Sequence, residues 1–290
     1  MTLEVEVNDV SLKYRRVEAL KHVSFQLEGG KIYGLLGRNG AGKTSLLSLL
    51  ASFREPTEGS IRIDGENPFE NTRVMQNVSF IYQMDYSDET EKVNSMLKFA
   101  ERYRPHFDRD YALHLAKRFN LPLDKAVNKL SKGMQSAFNA TIGLASRSPL
   151  TIFDEAYLGM DAPTRDILYQ ELLEDQGRYP RTVIVSTHLV SEMDYLFDEI
   201  LIIHRGSLIL HEAYETLVSR GASITGPADE VDHFVGGLKK LNEQRLGNTK
   251  SVTVYGELSE EQKKDAQQKG LEVGPVSLQD LFIYLTGEEN

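Results

Sequence analysis

The chain has 290 residues, 40% hydrophobic and 26% charged, enough to bury a core in one large domain or two ordinary ones. A formal net charge of −10 argues against a general nucleic-acid binder, whose electrostatic footprint is usually basic, and no nucleic-acid partner is expected. Cys is absent, which excludes a disulfide framework and a thiolate metal site, and no apolar run approaches the ~18 residues of a membrane span.

The first residues alternate like a strand and lack the basic and apolar regions of a signal peptide. The expectation is a chain soluble by itself, with any membrane role exerted through a partner. Residues 3–27 predict antiparallel strands, and Glu28-Gly29-Gly30-Lys31 a turn into the buried strand 32–36. A Gly-rich stretch, 37–44, then opens a helix. Further on, 61–65 reads as a short strand closed by Asp64-Gly65, and 78–82 as a strand ending at Gln83. From 85 to 149 the texture is helical, with helices predicted over 94–100, 108–119 and 135–145, the last opened by the loop 130–134.

Residues 150–155 form a buried strand ending in two carboxylates, and 161–174 a helix with Pro163 in its first turn. A strand at 182–187 ends at His188. An acidic amphipathic helix is expected from Val190, then a strand at 200–203 whose partner, 208–211, lies across Arg205-Gly206-Ser207. Composition shifts near Gly221. Short strands at 223–225, 252–255 and 271–273, with helices at 229–241, 259–269 and 278–285, predict a small α+β module. Strands alternating with helices before it indicate an α/β fold, a parallel-rich sheet covered on both faces and preceded by antiparallel strands.

Gly37-Arg38-Asn39-Gly40-Ala41-Gly42-Lys43-Thr44, between a strand and a helix, has the context of a phosphate-binding P-loop. Glycines let successive backbone N–H groups turn inward, and the helix N-terminus favours an anion. Lys43 brings a full charge to the β- and γ-phosphates, and Thr44 a hydroxyl for Mg²⁺. Asp154, at the end of an apolar strand, is the expected carboxylate for Mg²⁺, and Glu155 the group that accepts a proton from, or orients, an attacking water. His188 places an imidazole at the same sheet edge. Each of these alone also fits an ordinary strand end; their order along the chain is what carries the argument.

In that order the chain resembles the ATP-binding subunit of a bacterial ABC transporter, from about residue 3 to about residue 220. Residues 37–44 look like its Walker A motif, 150–155 like Walker B, Gln83 like the Q-loop glutamine, 158–161 like the D-loop and His188 like the switch histidine. The resemblance implies an ABC ATPase domain over 1–220, with a helical subdomain at about 85–149, and an accessory α+β domain over 221–290. It implies that Gly37, Asn39, Gly40, Ala41, Gly42, Lys43, Thr44 and Ser45 hold ATP, with Tyr14 stacked on adenine and Thr44, Gln83 and Asp154 toward Mg²⁺. Glu155, His188 and Gln83 would serve hydrolysis. Ser131, Gly133 and Asp161 would meet the nucleotide of a second cassette, in a homodimer or a heterodimer with a sister ATPase.

Two departures stand out. Leu130-Ser131-Lys132-Gly133-Met134 differs from the family's Leu-Ser-Gly-Gly-Gln at Lys132 and Met134, and the run 154–162 lacks the usual Pro after the Glu. With the closing stretch 278–287, these variants look like ABC-2-type exporters of the Ytr-like subgroup. The implied function is an ATPase that powers export through integral membrane permease subunits, peripheral on the inner face of the cell membrane. The alternatives are a soluble cassette that remodels a macromolecular complex, or an ATP sensor without turnover.

Overall fold

The computed structural model describes residues 2–256 and 258–287, so the outer ends of the two expected domain ranges, 1 and 288–290, lie outside the described residues. The chain divides into two compact units, one of residues 1–188 and 195–211, the other of 189–194 and 212–290.

In the first unit, β1 (Val5–Tyr14) pairs antiparallel with β2 (Val17–Leu27) and, on its other edge, with β4 (Glu58–Ile63). Their alternation turns Val5, Val7, Val10, Val23 and Leu27 into one apolar core. A six-stranded sheet lies in the order β5 (Val78–Ile81), β6 (Leu150–Asp154), β7 (Thr182–Thr187), β3 (Ile32–Leu36), β8 (Glu199–His204), β9 (Ser207–Ala213). The first five run parallel. Every residue of β3, β6 and β7 is buried, as continuous apolar runs in a doubly covered parallel sheet require. Register places Leu36 beside Thr187 and Asp154 beside Ser186, so the C-terminal ends of β3, β6 and β7 share one edge. That edge is where chemistry-bearing residues were expected.

Helix α1 (Lys43–Leu50) follows β3, and α2 (Thr72–Met75) is one turn capped by Asn71. The helical block comprises α3 (Val93–Tyr103), α4 (Arg109–Arg118) and α5 (Lys132–Ser146), followed after β6 by α6 (Ala162–Arg178). Helix α5 starts three residues before the expected 135, because the Ser131 hydroxyl accepts the Met134 N–H at 3.3 Å and caps it.

The second unit holds α7 (Val190–Met193), α8 (Tyr214–Ser219), β10 (Gly221–Pro227), α9 (Ala228–Phe234), β11 (Lys239–Leu246), β12 (Thr249–Tyr255), α10 (Glu260–Gln268), β13 (Glu272–Pro275) and α11 (Leu278–Thr286). Its antiparallel sheet has the order β11-β12-β10-β13. Ile224, Val231, Val252 and Val254 are fully buried in a core of its own. Within this unit α8 packs on α11, and Arg220 pairs with Glu212 at 2.6 Å. Two helices are shorter than expected. The one from Val190 is a single turn, continued by a 3₁₀ turn at Asp194–Leu196. The one expected over 229–241 ends at Phe234, ahead of Gly236-Gly237, and residues 239–246 form a strand. Adjacent glycines disfavour helix by about 1 kcal/mol each, and a two-residue turn at Gly247-Asn248 returns the chain as a hairpin.

Buried charges join α4, α5 and α6 in the first unit. Asp175 and Arg181, each 2% exposed in its side chain, meet at 2.6 Å. Arg147, the C-cap of α5 at φ 43°, pairs with Asp108 at 2.8 Å and Asp175 at 3.3 Å, its guanidinium 3.6 Å from the Tyr179 ring centroid. Glu171 accepts from the Tyr111 hydroxyl at 2.9 Å and from Arg118 at 2.6 Å. Removing one member of such a buried pair leaves the other charge uncompensated. Asp175→Ala is therefore expected to destabilise the protein by about 3–5 kcal/mol in equilibrium urea unfolding. A loss below about 1 kcal/mol would show that Arg147 and Arg181 do not depend on this carboxylate.

Candidate functional site

The Gly-rich turn leaves β3 and ends on Gly42, whose φ of 113° and 2.8 Å approach of a notional Cβ to the Ala19 carbonyl leave room for glycine alone. No side chain caps α1, and its first turn holds no acidic residue. Its N-terminal amides and partial positive charge thus face the loop. Lys43, 6% exposed, folds back under the loop. Its Nζ donates to the Gly37 carbonyl at 2.8 Å and lies 3.3 Å from Glu155 Oε1. A cavity of about 530 Å³ opens above, lined by residues 39–45 with Val17, Glu18, Ala19, Glu155, Arg205 and Gly206.

Two contributors to that cavity were not among the site residues expected from the sequence. The Arg205-Gly206 turn between β8 and β9 forms a wall, stitched in place by Gly206 N–H to Ala41 O at 2.9 Å and Lys21 N–H to Gly206 O at 2.8 Å. Val17, 65% exposed, supplies an apolar side chain. Neither stands in a motif, and only the sheet order brings β8 beside β3. Tyr14 is packed against the core with the Arg54 guanidinium 4.6 Å from its ring centroid, and it is not among the cavity's lining residues.

At the strand edge, Asp154 is buried and accepts the Thr44 hydroxyl at 2.7 Å on one oxygen and the Ser186 hydroxyl on the other. The Glu155 N–H donates to Ser186 Oγ at 3.1 Å. Glu155 itself leaves the strand at φ 48°, which swings its carboxylate back to Lys43 and to His188 Nδ1, 3.1 Å away. Tyr157, absent from the sequence-derived candidates, is buried with its hydroxyl 3.2 Å from His188 Nδ1 and accepting the His188 N–H at 3.3 Å. No cluster of three His, Asp or Glu among the described residues could hold a metal alone. The adjacent hydroxyl and carboxylate of Thr44 and Asp154 are hard oxygen donors, which fits Mg²⁺ sharing its remaining positions with phosphate and water.

Gln83 stands exposed just past β5. Its loop is pinned to α5, where Asn139 donates to Tyr82 O at 3.4 Å and accepts the Tyr86 hydroxyl. Burial pushes that phenol up to about 12, keeping it a donor. Ser131, Gly133 and Asp161 form a second group, none of them lining the P-loop cavity. A Cβ on Gly133 would come within 2.5 Å of the Gly159 carbonyl, so glycine is what lets the start of α5 sit on residues 158–160. Ser136 Oγ donates to Leu158 O in the same contact. Asp161 caps α6 through the Thr164 N–H at 3.1 Å, and its hydrogen bonds with Thr164 hold its carboxyl below the usual range. Lys132 is exposed on the first turn of α5.

Comparison with known proteins identifies the family. The profile of the ABC transporter family matches residues 20–158. The ABC transporter ATP-binding protein NatA of Bacillus subtilis is 30% identical over 71% of this chain and 86% of its own. YtrB of the same organism, also named an ABC transporter ATP-binding protein, is 28% identical over 70% of each chain. A Nod factor export ATP-binding protein of Burkholderia lata is 26% identical over 98% of this chain and 97% of its own. Among solved structures, an ATP-binding cassette in a dimeric post-hydrolysis state bound to ADP and Pi superposes with a TM-score of 0.62 at 21% identity, over 72% of this chain and 98% of that one. With the P-loop, the two strand-end carboxylates and the helical block in the expected order, the chain belongs to the family of ABC transporter ATP-binding subunits, which bind and hydrolyse ATP.

Proposed function

We propose that this ATPase powers export through separate membrane-spanning subunits, as one of two cassettes that close head-to-tail on ATP and Mg²⁺. The observation that carries this reading is the split between the two groups of site residues. Lys43, Thr44, Asp154, Glu155 and His188 gather around the P-loop edge, whereas Ser131 and Gly133 present the start of α5 elsewhere on the same unit. Each group is half of a nucleotide site. A second copy, or a sister ATPase, supplies the complement.

In the closed pair Lys43 meets the β- and γ-phosphates and Tyr14 stacks on adenine. Thr44 and Asp154, with Gln83, hold Mg²⁺, which when bound supplies charge neutralisation to the phosphate oxygens. Glu155 orients or deprotonates the attacking water and His188 fixes it against the γ-phosphate. Ser131 and the Gly133 N–H of the opposing copy donate to the γ-phosphate, with Asp161 at the same junction. Residues 1–220 are read as the ATPase domain and 221–290 as an accessory module.

Among the described residues no helix is long and apolar enough to cross a membrane, so attachment to the inner face of the cell membrane is assigned to a permease. Its docking place is a groove of about 390 Å³ beside Gln83, lined by Phe80, Tyr82, Met84, Met96 and Ile142 and edged by Asp85, Asp88 and Glu89. Aromatic and Met side chains adapt to an amphipathic segment, and the acidic edge suits a basic one. Export is supported by the Burkholderia relative named for export and by the variant sequences at 130–134 and 154–162.

Two measurements test the reading. Glu155→Gln should retain ATP binding while turnover falls by about 10²-fold or more, leaving an ATP-bound dimer in gel filtration with Mg²⁺. A monomer under those conditions argues against the head-to-tail pair. Met84→Asp places a charge in the groove, at a side chain 43% exposed, and should abolish co-purification of a hydrophobic partner from detergent-solubilised membranes. Basal ATPase activity should stay within about twofold of wild type. Undiminished co-purification would move the docking place elsewhere.

A further inference from the structure

The turn after Glu155 carries a feature that the Walker B and switch assignments leave unexplained. Leu158 N–H closes on Glu155 O at 3.0 Å, and the turn drives the Tyr157 side chain inward until it is 2% exposed. Its hydroxyl arrives at the end of β7, accepting the His188 backbone N–H at 3.3 Å and the Thr187 hydroxyl at 3.1 Å. Those two donors occupy the phenol's two lone pairs, so toward His188 Nδ1, 3.2 Å away, the phenol acts as a donor.

Glu155 Oε1 stands 3.1 Å from the same Nδ1. The two neighbours demand opposite things of it. A carboxylate needs Nδ1 to carry a proton, and a donating phenol needs it bare. One nitrogen cannot satisfy both, so Glu155 and Tyr157 compete for the tautomer of His188. We propose that Tyr157 is a positioning residue for hydrolysis, holding His188 in the Nε2–H tautomer whenever Glu155 disengages from it.

The inference rests on the role given to His188 above and adds the group that sets its protonation pattern. While Glu155 leans on His188, Nδ1 holds the proton and Nε2 is bare, unable to donate to an anion. When Glu155 turns to a water, Nδ1 gives its proton to solvent and Nε2 takes one from solvent. The ring's side chain is 34% exposed, so water reaches it. The neutral imidazole then accepts from Tyr157 and presents Nε2–H outward as a donor, the form a γ-phosphate oxygen requires. Freeing the carboxylate and arming the imidazole thereby become one event.

The test uses the full chain labelled with ¹⁵N-histidine, read by long-range ¹H–¹⁵N correlation at pH 8 without nucleotide. The His188 signals, among seven histidines, are assigned by their loss in His188→Gln. Tyr157→Phe keeps the ring and removes the donor, and in a Glu155→Ala background it should move His188 toward Nδ1–H relative to Glu155→Ala alone. Glu155→Ala removes the competing acceptor, leaves Tyr157 in place, and should move it toward Nε2–H. This second variant keeps the test decisive if Tyr157→Phe fails to fold. In ATPase assays Tyr157→Phe should lower kcat about tenfold with KM for ATP within about twofold, since the phenol touches neither nucleotide nor water. A His188 tautomer that does not move in either variant, or a wild-type kcat in folded Tyr157→Phe, overturns the proposal. His188→Ala separates the two levels. Loss of turnover there with unaltered Tyr157→Phe removes Tyr157 alone, whereas wild-type turnover in His188→Ala removes the role of His188 and this inference with it.

Discussion

The nucleotide edge of the ATPase unit depends on one buried carboxylate. Asp154 receives the Thr44 hydroxyl from α1 and the Ser186 hydroxyl from β7, so a single side chain on β6 ties three elements together. It can do so because Asp154 pairs in register with Ser186 and because β7 lies between β6 and β3. Side chains alternate along a strand, so a slip of one residue would put Phe153 or Glu155 in its place and break the contact. The next residue, Glu155, escapes that alternation through its φ of 48° and reaches the same edge by another route. Adjacent carboxylates thereby acquire different surroundings, one locked between hydroxyls and the other shared by a cation and an imidazole.

A second dependency runs through α5. Its Ser131 end is capped, its Gly133 and Ser136 lie on residues 158–160, and its Asn139 holds the loop that follows Gln83. Gly143 sits where a Cβ would come within 2.6 Å of Ile81 and 2.8 Å of Phe153, so the helix lies directly on β5 and β6. Small residues in the middle of α5 are what permit this approach. The loops that carry Gln83, Ser131 and Asp161 accordingly share one rigid neighbour, and the buried pairs of Asp175 with Arg147 and Arg181 fix its far end against α6.

Where local chemistry decides structure, the chain was legible from its sequence. The P-loop, the apolar strands and the cap-and-proline start of α6 each have a short-range cause, and each appears where expected. Legibility failed where the cause was remote or weak. The Arg205-Gly206 wall exists because β8 runs beside β3, which no local pattern encodes. Strand β11 is almost entirely polar and exposed, so neither alternation nor hydrophobicity marks it, and its pairing with β12 makes it a strand. The helix after Val190 has acidic spacing along a longer stretch but only one turn, since short helices gain their stability from packing rather than propensity. Tyr157 was passed over for a related reason. An aromatic residue after two carboxylates reads as ordinary core, and its hydroxyl acquires meaning only from the fold of the turn beneath β7.

In the proposed mechanism, nucleotide would alter the surroundings of Glu155 by electrostatics alone. Its Oε1 lies 3.3 Å from Lys43 Nζ, an attraction of about 5 kcal/mol at an effective dielectric of ~20 before desolvation. A γ-phosphate carrying about two negative charges offers Lys43 roughly double that attraction at equal distance. In the proposed binding mode phosphate would therefore displace the carboxylate from the ammonium, and the backbone N–H groups of the P-loop and α1 would widen the margin. Released from Lys43, Glu155 would face like charge on that phosphate, which would push it toward water. The cation proposed to bind nucleotide is thus the one paired with Glu155, and a phosphate held there would take its place.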